Sequence, residues 1–234
     1  MGEPGGRRIL GLDEAGRGSF LGPLVVGAFL VPESRLPDLV EAGARDSKEL
    51  TPAARERAYA ALIKIGSARS VALPPAEVDR HVRRRQLNQL EAKSFAGLIR
   101  ELDPDVTYVD ACDPNAGRFG RHVAALAGTR GEVIARHKAD RDLPVVGAAS
   151  IVAKVRRDRA VAELSRRLGT DVGSGYPSDP ATVDFVRAML SRGERPPRWL
   201  RASWSTMQRV MPRPPARPLE EFSDDRRGGA RLRR

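Results

Sequence analysis

The chain has 234 residues, a formal net charge of +11 at pH 7 and a hydrophobic fraction of 41%. This length and composition favour one folded domain with a sizeable core, and the positive charge favours a polyanionic partner, nucleic acid before an anionic membrane. The single cysteine, Cys112, excludes an internal disulfide and a cysteine-based zinc site. Because no apolar run approaches the ~20 residues of a membrane-spanning helix and the sequence opens on no signal-type stretch, we expect a cytoplasmic protein.

The hydrophobic pattern, followed along the chain, mixes strands with helices. It predicts strands at residues 7–12, 23–31, 68–74, 106–110 and 132–137. It predicts helices that begin at Thr51–Pro52, cover 75–102, run from about 142 to Gly169, begin after Asp179 and cover 199–210. With early antiparallel strands and with helices concentrated towards the C-terminus, the pattern predicts an α/β fold. Residues 212–234 are rich in proline and charge, and we expect them to be disordered.

Acidic residues fall where three of the predicted strands end. Asp13 and Glu14 end the first strand, Asp110 ends the fourth, and Asp140 follows the fifth. Active sites of α/β sheets collect at strand ends, where grouped acids repel one another unless cations such as Mg²⁺ neutralise them. Two such cations about 4 Å apart clamp the attacking and leaving oxygens of phosphodiester cleavage. These acids could equally be ordinary turn residues and helix caps, and spacing alone does not join the four into one site.

Five sequence blocks then occur in order within residues 9–205: "GLDEAGRGSFLGPLVVGA", "DSKEL", "YVDACD", "HKADRDLPVVGAASIVAKVRRD" and "GSGYPSDP". Together they resemble the type 2 ribonucleases H (ribonuclease HII), in the form of the archaeal branch. The resemblance implies a ribonuclease-H-like fold, in which a mixed β-sheet flanked by helices is followed by a C-terminal helical subdomain. We therefore expect a catalytic domain over residues 7–170, the helical subdomain over 171–211 and a disordered basic tail over 212–234.

The resemblance also implies an activity. The family hydrolyses the RNA strand of RNA–DNA hybrids and cuts 5′ to ribonucleotides embedded in duplex DNA. It leaves 3′-hydroxyl and 5′-phosphate ends and uses two Mg²⁺ or Mn²⁺ ions. The alternatives are a DNA nuclease or resolvase of the same fold, and a nucleic-acid-binding module that has lost catalysis. We expect a monomer. Some relatives bind a sliding clamp through a C-terminal peptide, but no aromatic pair follows residues 208–211 here, so clamp binding is not predicted.

The matching motifs carry the family's functional residues onto this chain. Catalysis and metal binding fall to the four carboxylates Asp13, Glu14, Asp110 and Asp140. Substrate binding falls to Gly16, Arg17, Gly18, Lys48 and Tyr176. The glycine turn at 16–18 would read the ribose 2′-hydroxyl with its backbone, and Tyr176 would meet the nucleotide at the ribo–deoxyribo junction. Simpler roles stay open: Arg17 as partner of a nearby acid, Lys48 as a surface residue and Tyr176 at a core edge.

Two further features stay open in the sequence. The family usually has proline after the glycine turn, whereas this chain has Ser19, which removes one constraint from the turn. On the long helix, Lys154 and the pair Arg156–Arg157 are assigned equally to phosphate contact and to a solvated face. The histidines fall outside the acidic motifs, and the expected chemistry needs none of them as a base.

Overall fold

A computed structural model describes residues 6–44, 50–192 and 195–203, together with Met207 and Val210. Within these residues one five-stranded sheet has the order β3-β2-β1-β4-β5. Its strands are β1 (Arg8–Ala15), β2 (Leu24–Pro32), β3 (Ser67–Leu73), β4 (Val106–Asp110) and β5 (Glu132–Arg136). β2 is antiparallel to both β1 and β3, whereas β4 is parallel to both β1 and β5. The predicted mixed α/β sheet with early antiparallel strands is confirmed.

Helices cover both faces of this sheet. In the described ranges they are α1 (Leu36–Glu41), α2 (Pro52–Leu62), α3 (Pro75–Arg83), α4 (Leu87–Leu102), α5 (Ala116–Ala127), α6 (Ala139–Asp142), α7 (Pro144–Leu168) and α8 (Pro180–Leu190). A 3₁₀ turn, Glu33–Arg35, precedes α1. Among them, none has the length and apolar character that crossing a membrane requires.

The alternation of side chains along β1 divides the core into two layers. Leu10 faces the layer built with α3, α4 and α5, whereas Ile9 faces the layer built with α1, α2 and α7. Helix α7 lies very close to the sheet because Gly27 on β2 has no side chain. A Cβ at Gly27 would stand 2.3 Å from the carbonyl oxygen of Ala149 on α7. The first half of α7 therefore rests directly on β1 and β2.

A third apolar cluster lies beyond the sheet edge and joins the loop after β1 to the C-terminal half of the chain. Its buried members are Phe20, Leu21, Val161, Leu164, Val172, Val186, Leu190, Leu200, Met207 and Val210. Leu21 and Leu200 also form an isolated antiparallel bridge through their backbones. Two segments nearly 180 residues apart in sequence are thus packed and hydrogen-bonded together.

Several predicted helix ends are confirmed by their hydrogen bonds. The Thr51 side chain accepts from the backbone N–H of Ala54 at 3.2 Å and caps α2. The Asp179 carboxylate accepts from the N–H of Ala181 at 3.0 Å and caps α8. Helix α7 ends at Leu168, and the next residue, Gly169, has a φ of +65° in the left-handed region, as expected for a glycine that follows a helix end.

Two helix predictions were wrong. The helical pattern over 75–102 is two helices, because Arg85 adopts a left-handed φ of 57° and the N–H of Gln86 turns back to the carbonyl of His81 at 2.8 Å. Residues 199–203 are not helical, although the spacing predicted a helix over 199–210. The backbone of this segment instead bonds to the loop after β1, where Gly22 N–H donates to the Trp199 carbonyl at 3.2 Å.

Candidate active site at the ends of β1 and β4

Strand alternation sends the two adjacent acids of β1 to opposite faces of the sheet. Asp13 shares the face of α7, where it is 5% exposed and accepts a hydrogen bond from the Ser150 hydroxyl. Glu14 faces α4, whose buried Glu91 adds to the negative charge around it. The two neighbouring carboxylates therefore lie on opposite faces of the sheet near the end of β1, close enough to interact electrostatically.

The other two predicted carboxylates come from the parallel half of the sheet. Asp110 ends β4, directly beside β1, and its Oδ1 accepts from the N–H of Ala139 at 2.9 Å. Asp140 is the next residue after Ala139 and lies on α6, where it is 3% exposed. This bond fixes the start of α6 to the end of β4. Asp140 is thereby held near Asp110 and Asp13.

The electrostatics show how closely these groups interact. The pKa of Asp13 is raised to about 7, chiefly because its carboxyl is buried. The charges of Asp110 and Asp140 contribute to this rise, and the Ser150 bond opposes it. The pKa of Glu14 is raised well above its usual value by burial, then by Asp13 and Glu91. Buried carboxylates that share a site resist ionisation together unless a cation accompanies them.

These residues fit the divalent cations that the sequence predicts. Carboxylate oxygens are the ligands that Mg²⁺ and Mn²⁺ prefer. Glu14 Oε2 is buried and has no hydrogen-bond partner in the described chain, so it is available to a cation. Within the described residues, no three acidic, histidine or cysteine side chains are arranged so that they could hold a metal ion by themselves.

The glycine turn follows β1 directly. Gly16 has a φ of +84°, and a Cβ there would stand 2.8 Å from the carbonyl oxygen of Pro23, so only glycine suits this position. Gly18 is exposed, and a Cβ there would meet nothing within 4 Å. Ser19 is fully buried; its hydroxyl donates to the Gly16 carbonyl at 2.9 Å and its N–H donates to the same oxygen at 3.3 Å. Both bonds close the turn, and proline could make neither.

The Arg17 side chain is held by helix α4. Its guanidinium forms an ion pair with Glu91 and donates to Asn88 Oδ1 at 2.6 Å, and the side chain stays 32% exposed. Arg17 thus has a nearby acid as its partner, and its predicted contact with substrate stays a prediction. The sequence reasoning did not identify Glu91, although a signal was present: an acid stands on the apolar stripe of α4, four residues after Leu87 and four before Phe95.

Tyr176 lies on the loop before α8 and is half-buried. Its ring packs on the guanidinium of Arg157, whose Cζ is 3.9 Å from the ring centroid. Arg157 also donates to the carbonyl of Ser174 at 2.9 Å. At 1% exposure Arg157 is neither on a solvated face nor free to contact phosphate, so both of its predicted roles were wrong. The reason is that this part of α7 lies beneath the loop that carries Tyr176.

The Tyr176 loop and the glycine turn are joined through their backbones. The carbonyl of Gly175 accepts from the N–H of Phe20 at 2.8 Å and from that of Leu21 at 3.2 Å. The structure therefore brings Tyr176 beside the loop that carries the glycine turn. Lys48 lies outside the described residues, so its predicted contact with substrate stays a prediction.

Known proteins resemble this chain over most of its length. A family model described as Ribonuclease HII matches residues 10–207. The chain is 44% identical to a ribonuclease HII of Methanocella arvoryzae over 204 residues, which cover 87% of this chain and 91% of that protein. The crystal structure of ribonuclease H2 from Pyrococcus horikoshii OT3 matches with a TM-score of 0.79 and 37% identity, covering 87% of this chain and 96% of that one. Ribonuclease HII in the PCNA complex from Archaeoglobus fulgidus matches with a TM-score of 0.79 and 33% identity, covering 92% and 100%.

Proposed function

This chain belongs to the ribonuclease HII family, and we propose that it cuts the RNA strand of RNA–DNA hybrids and cuts 5′ to ribonucleotides embedded in duplex DNA. Membership makes it an endoribonuclease of the ribonuclease H type, a hydrolase that acts on the RNA of RNA–DNA hybrids. The proposed cut leaves 3′-hydroxyl and 5′-phosphate ends.

One observation carries the proposal: four carboxylates from β1, β4 and α6, of which Asp13 and Asp140 are buried, lie at one end of the sheet. Burial and the charges of Asp110 and Asp140 raise the pKa of Asp13 to about 7, a perturbation typical of catalytic sites. Acids with a purely structural role would be expected to have hydrogen-bond or ion-pair partners, yet Glu14 Oε2 is buried and has no hydrogen bond in the described chain. The arrangement suits a site whose charge is balanced from outside the protein.

Divalent cations would supply that balance. The residues that would hold them are Asp13, Glu14, Asp110 and Asp140. Mg²⁺ binds through one or two carboxylates, waters and substrate phosphate oxygens, so a site with no complete protein cage suits an ion that the substrate helps to bind. When bound, two Mg²⁺ or Mn²⁺ ions would supply Lewis-acid activation of water and charge stabilisation at the leaving oxygen. The chain's own contribution is orientation, through the Ser150 bond to Asp13 and the Ala139 bond to Asp110.

Ribose recognition falls to the glycine turn and Tyr176. Gly18 is exposed with open space beside its Cα, which allows a sugar to approach the backbone closely. The 2′-hydroxyl is the group that distinguishes RNA from DNA there. Tyr176, beside the turn, offers a flat ring to the neighbouring nucleotide. The net charge of +11 favours the phosphate backbone, so binding should weaken steeply as salt rises.

A cleavage assay tests the proposal. Duplex DNA with one ribonucleotide, and the same duplex without it, are incubated with Mg²⁺ or Mn²⁺ and with wild-type or Asp110→Asn protein. We expect a cut 5′ to the ribonucleotide by the wild type but not by Asp110→Asn, and none in the all-DNA duplex. Asp142→Asn is the matched control, because Asp142 is an exposed acid on α6 only two residues beyond Asp140.

Each alternative has its own outcome in this assay. Equal cutting of the all-DNA duplex would indicate a DNA nuclease, and binding without cutting would indicate a module that has lost catalysis. An Asp110→Asn variant as active as the wild type would exclude the proposed site. We also expect Asp140→Asn to lose less activity than Asp110→Asn, since Asp140 is assigned to the second metal.

The remaining assignments are proposals of the same kind. We propose a monomer with a catalytic domain over 7–170 and a helical subdomain over 171–211. The basic tail, residues 212–234, lies outside the described residues. So does the segment 208–211 apart from Val210, which is buried in the third cluster. The relative from Archaeoglobus fulgidus was solved with PCNA, but the absence of an aromatic pair after 208–211 still predicts no clamp binding for this chain.

A further inference from the structure

One buried arginine of the C-terminal segment bonds to the backbone of the glycine turn. Arg201 Nη1 donates to the carbonyl of Gly16 at 2.5 Å and to that of Arg17 at 3.2 Å. Its Nε and Nη2 donate to the carbonyl of Gly22 at 3.2 and 3.0 Å. A single guanidinium thus spans the beginning and the end of the loop that connects β1 to β2.

The backbone around Arg201 places it there. Its own N–H donates to the carbonyl of Phe20 at 2.9 Å, and the preceding residue, Leu200, forms the bridge with Leu21. The segment is fastened on its other side by Asp79, which accepts from the N–H groups of Ala202 and Ser203 and from the Ser203 hydroxyl. Asp79 therefore anchors the same segment without bonding to the turn.

The burial of Arg201 makes these bonds consequential. The residue is 0% exposed, and its hydrogen bonds in the described chain all go to backbone carbonyls, not to a carboxylate. Burying a cation without a bonded counter-ion is costly, and hydrogen bonds to charged groups are stronger than neutral ones. The turn's carbonyls are therefore held firmly towards Arg201.

Because the peptide bond is planar, fixing these carbonyls also fixes the amide groups on the other side of the loop. In a trans peptide the N–H points opposite to the C=O of the same unit. With the carbonyls of Gly16 and Arg17 fixed towards Arg201, the N–H groups of Arg17 and Gly18 face away from it. Gly18 itself is exposed.

We propose that Arg201 is a positioning residue for ribose recognition: it fixes two peptide planes so that the amides of Arg17 and Gly18 face the sugar. The inference rests on the proposed function. It adds a residue 185 positions from Gly16 in sequence, outside the glycine turn and the carboxylates.

The test compares Arg201→Lys and Arg201→Gln with Asp79→Asn. Lysine keeps the charge, but one ammonium cannot reach the carbonyls at both ends of the loop. Affinity is measured with EDTA for duplexes with and without one ribonucleotide, and kcat/KM is measured with Mg²⁺. For both Arg201 variants we expect unchanged affinity for the all-DNA duplex and loss of the preference for the ribonucleotide duplex. Their kcat/KM should fall at least about tenfold, and Arg201→Lys should be less affected than Arg201→Gln. Asp79→Asn should keep the preference even if its melting temperature falls.

Several results would overturn the inference. Arg201→Lys could keep both preference and rate, or Asp79→Asn could lose the preference equally, which would assign the effect to the segment and not to the guanidinium. Amide hydrogen exchange tests the inference on the wild type, without any variant. The amides of Arg17 and Gly18 should exchange fast in the free protein and slowly when the ribonucleotide duplex is bound in EDTA. Slow exchange of these amides in the free protein would contradict the geometry. A wild type without any ribonucleotide preference would instead refute the proposed function, and it is measured first.

Discussion

Replacing each glycine of the turn by alanine should separate folding from substrate approach. Gly16→Ala forces a φ of +84° on a residue with a Cβ, which costs about 1–2 kcal/mol. The new Cβ would stand 2.7 Å from Arg157 Nε and 2.8 Å from the carbonyl oxygen of Pro23, and overpacking of this kind costs about 1–3 kcal/mol. The total of roughly 2–5 kcal/mol corresponds to a fall in Tm of roughly 4–20 °C for a chain of this length.

Gly18→Ala is the matched change with the opposite expectation. Its Cβ would meet nothing within 4 Å, so Tm should stay the same or rise slightly. The added methyl group stands where the sugar is proposed to approach, so cleavage should fall by about ten- to hundredfold. Thermal unfolding and the single-ribonucleotide assay, run on both variants, measure the two effects. A Gly16→Ala protein that melts with the wild type would refute the geometric reasoning, and a fully active Gly18→Ala protein would refute the proposed approach of the sugar.

Three further predictions concern the same region. Ser19→Ala removes the buried 2.9 Å bond to the Gly16 carbonyl and should destabilise the protein by about 1 kcal/mol, visible as a Tm lower by ~2–4 °C; an unchanged Tm would mean that the hydroxyl does not close the turn. At a pH above neutral, saturating Mg²⁺ or Mn²⁺ should raise the Tm of the wild type by mass action. Without metal, Asp13→Asn should melt at a higher temperature than the wild type, and added metal should raise its Tm by less. Equal rises in Tm for both proteins would contradict a metal site at Asp13. Asp179→Ala should cost about 1 kcal/mol by loss of the cap. Because bonds from Ser174 and Ala181 hold the pKa of Asp179 below its usual value, this stability is present at neutral pH and is lost as pH falls through the lowered pKa, so the Tm difference should close in acid and a constant difference would count against it.

The sequence predicted local features well, since their causes are local. Threonine and aspartate before proline predicted the caps of α2 and α8, and apolar runs predicted all five strands. The fold class was confirmed with them. The acids of β1 and β4 were placed at strand ends from the pattern alone. Their meeting with Asp140 was expected only through the resemblance, since it depends on the parallel pairing of β1, β4 and β5.

The errors arose where a distant segment decides the structure. Arg157 reads as a helix-surface residue because its neighbours are charged, but the loop before α8 covers it. Residues 199–203 have helical spacing, but their backbone forms hydrogen bonds with the loop after β1, and no local sequence pattern predicts these bonds. Glu91 was missed because the role of an acid on an apolar helix stripe depends on its ion-pair partner, and the sequence does not show that Arg17 lies opposite it.

The bond between Arg201 and the Gly16 carbonyl closes a loop of 185 residues. This long separation in sequence sets the order in which parts of the protein can fold. Contacts of such large sequence separation form late, because their loop-closure entropy must be compensated by structure already present. During synthesis the carboxylates of β1, β4 and α6 can assemble once the chain has passed residue 168 and α7 is complete. The turn acquires its brace only after residue 201 has emerged. A nascent chain would therefore hold the proposed catalytic acids before it holds the backbone that is proposed to select the substrate.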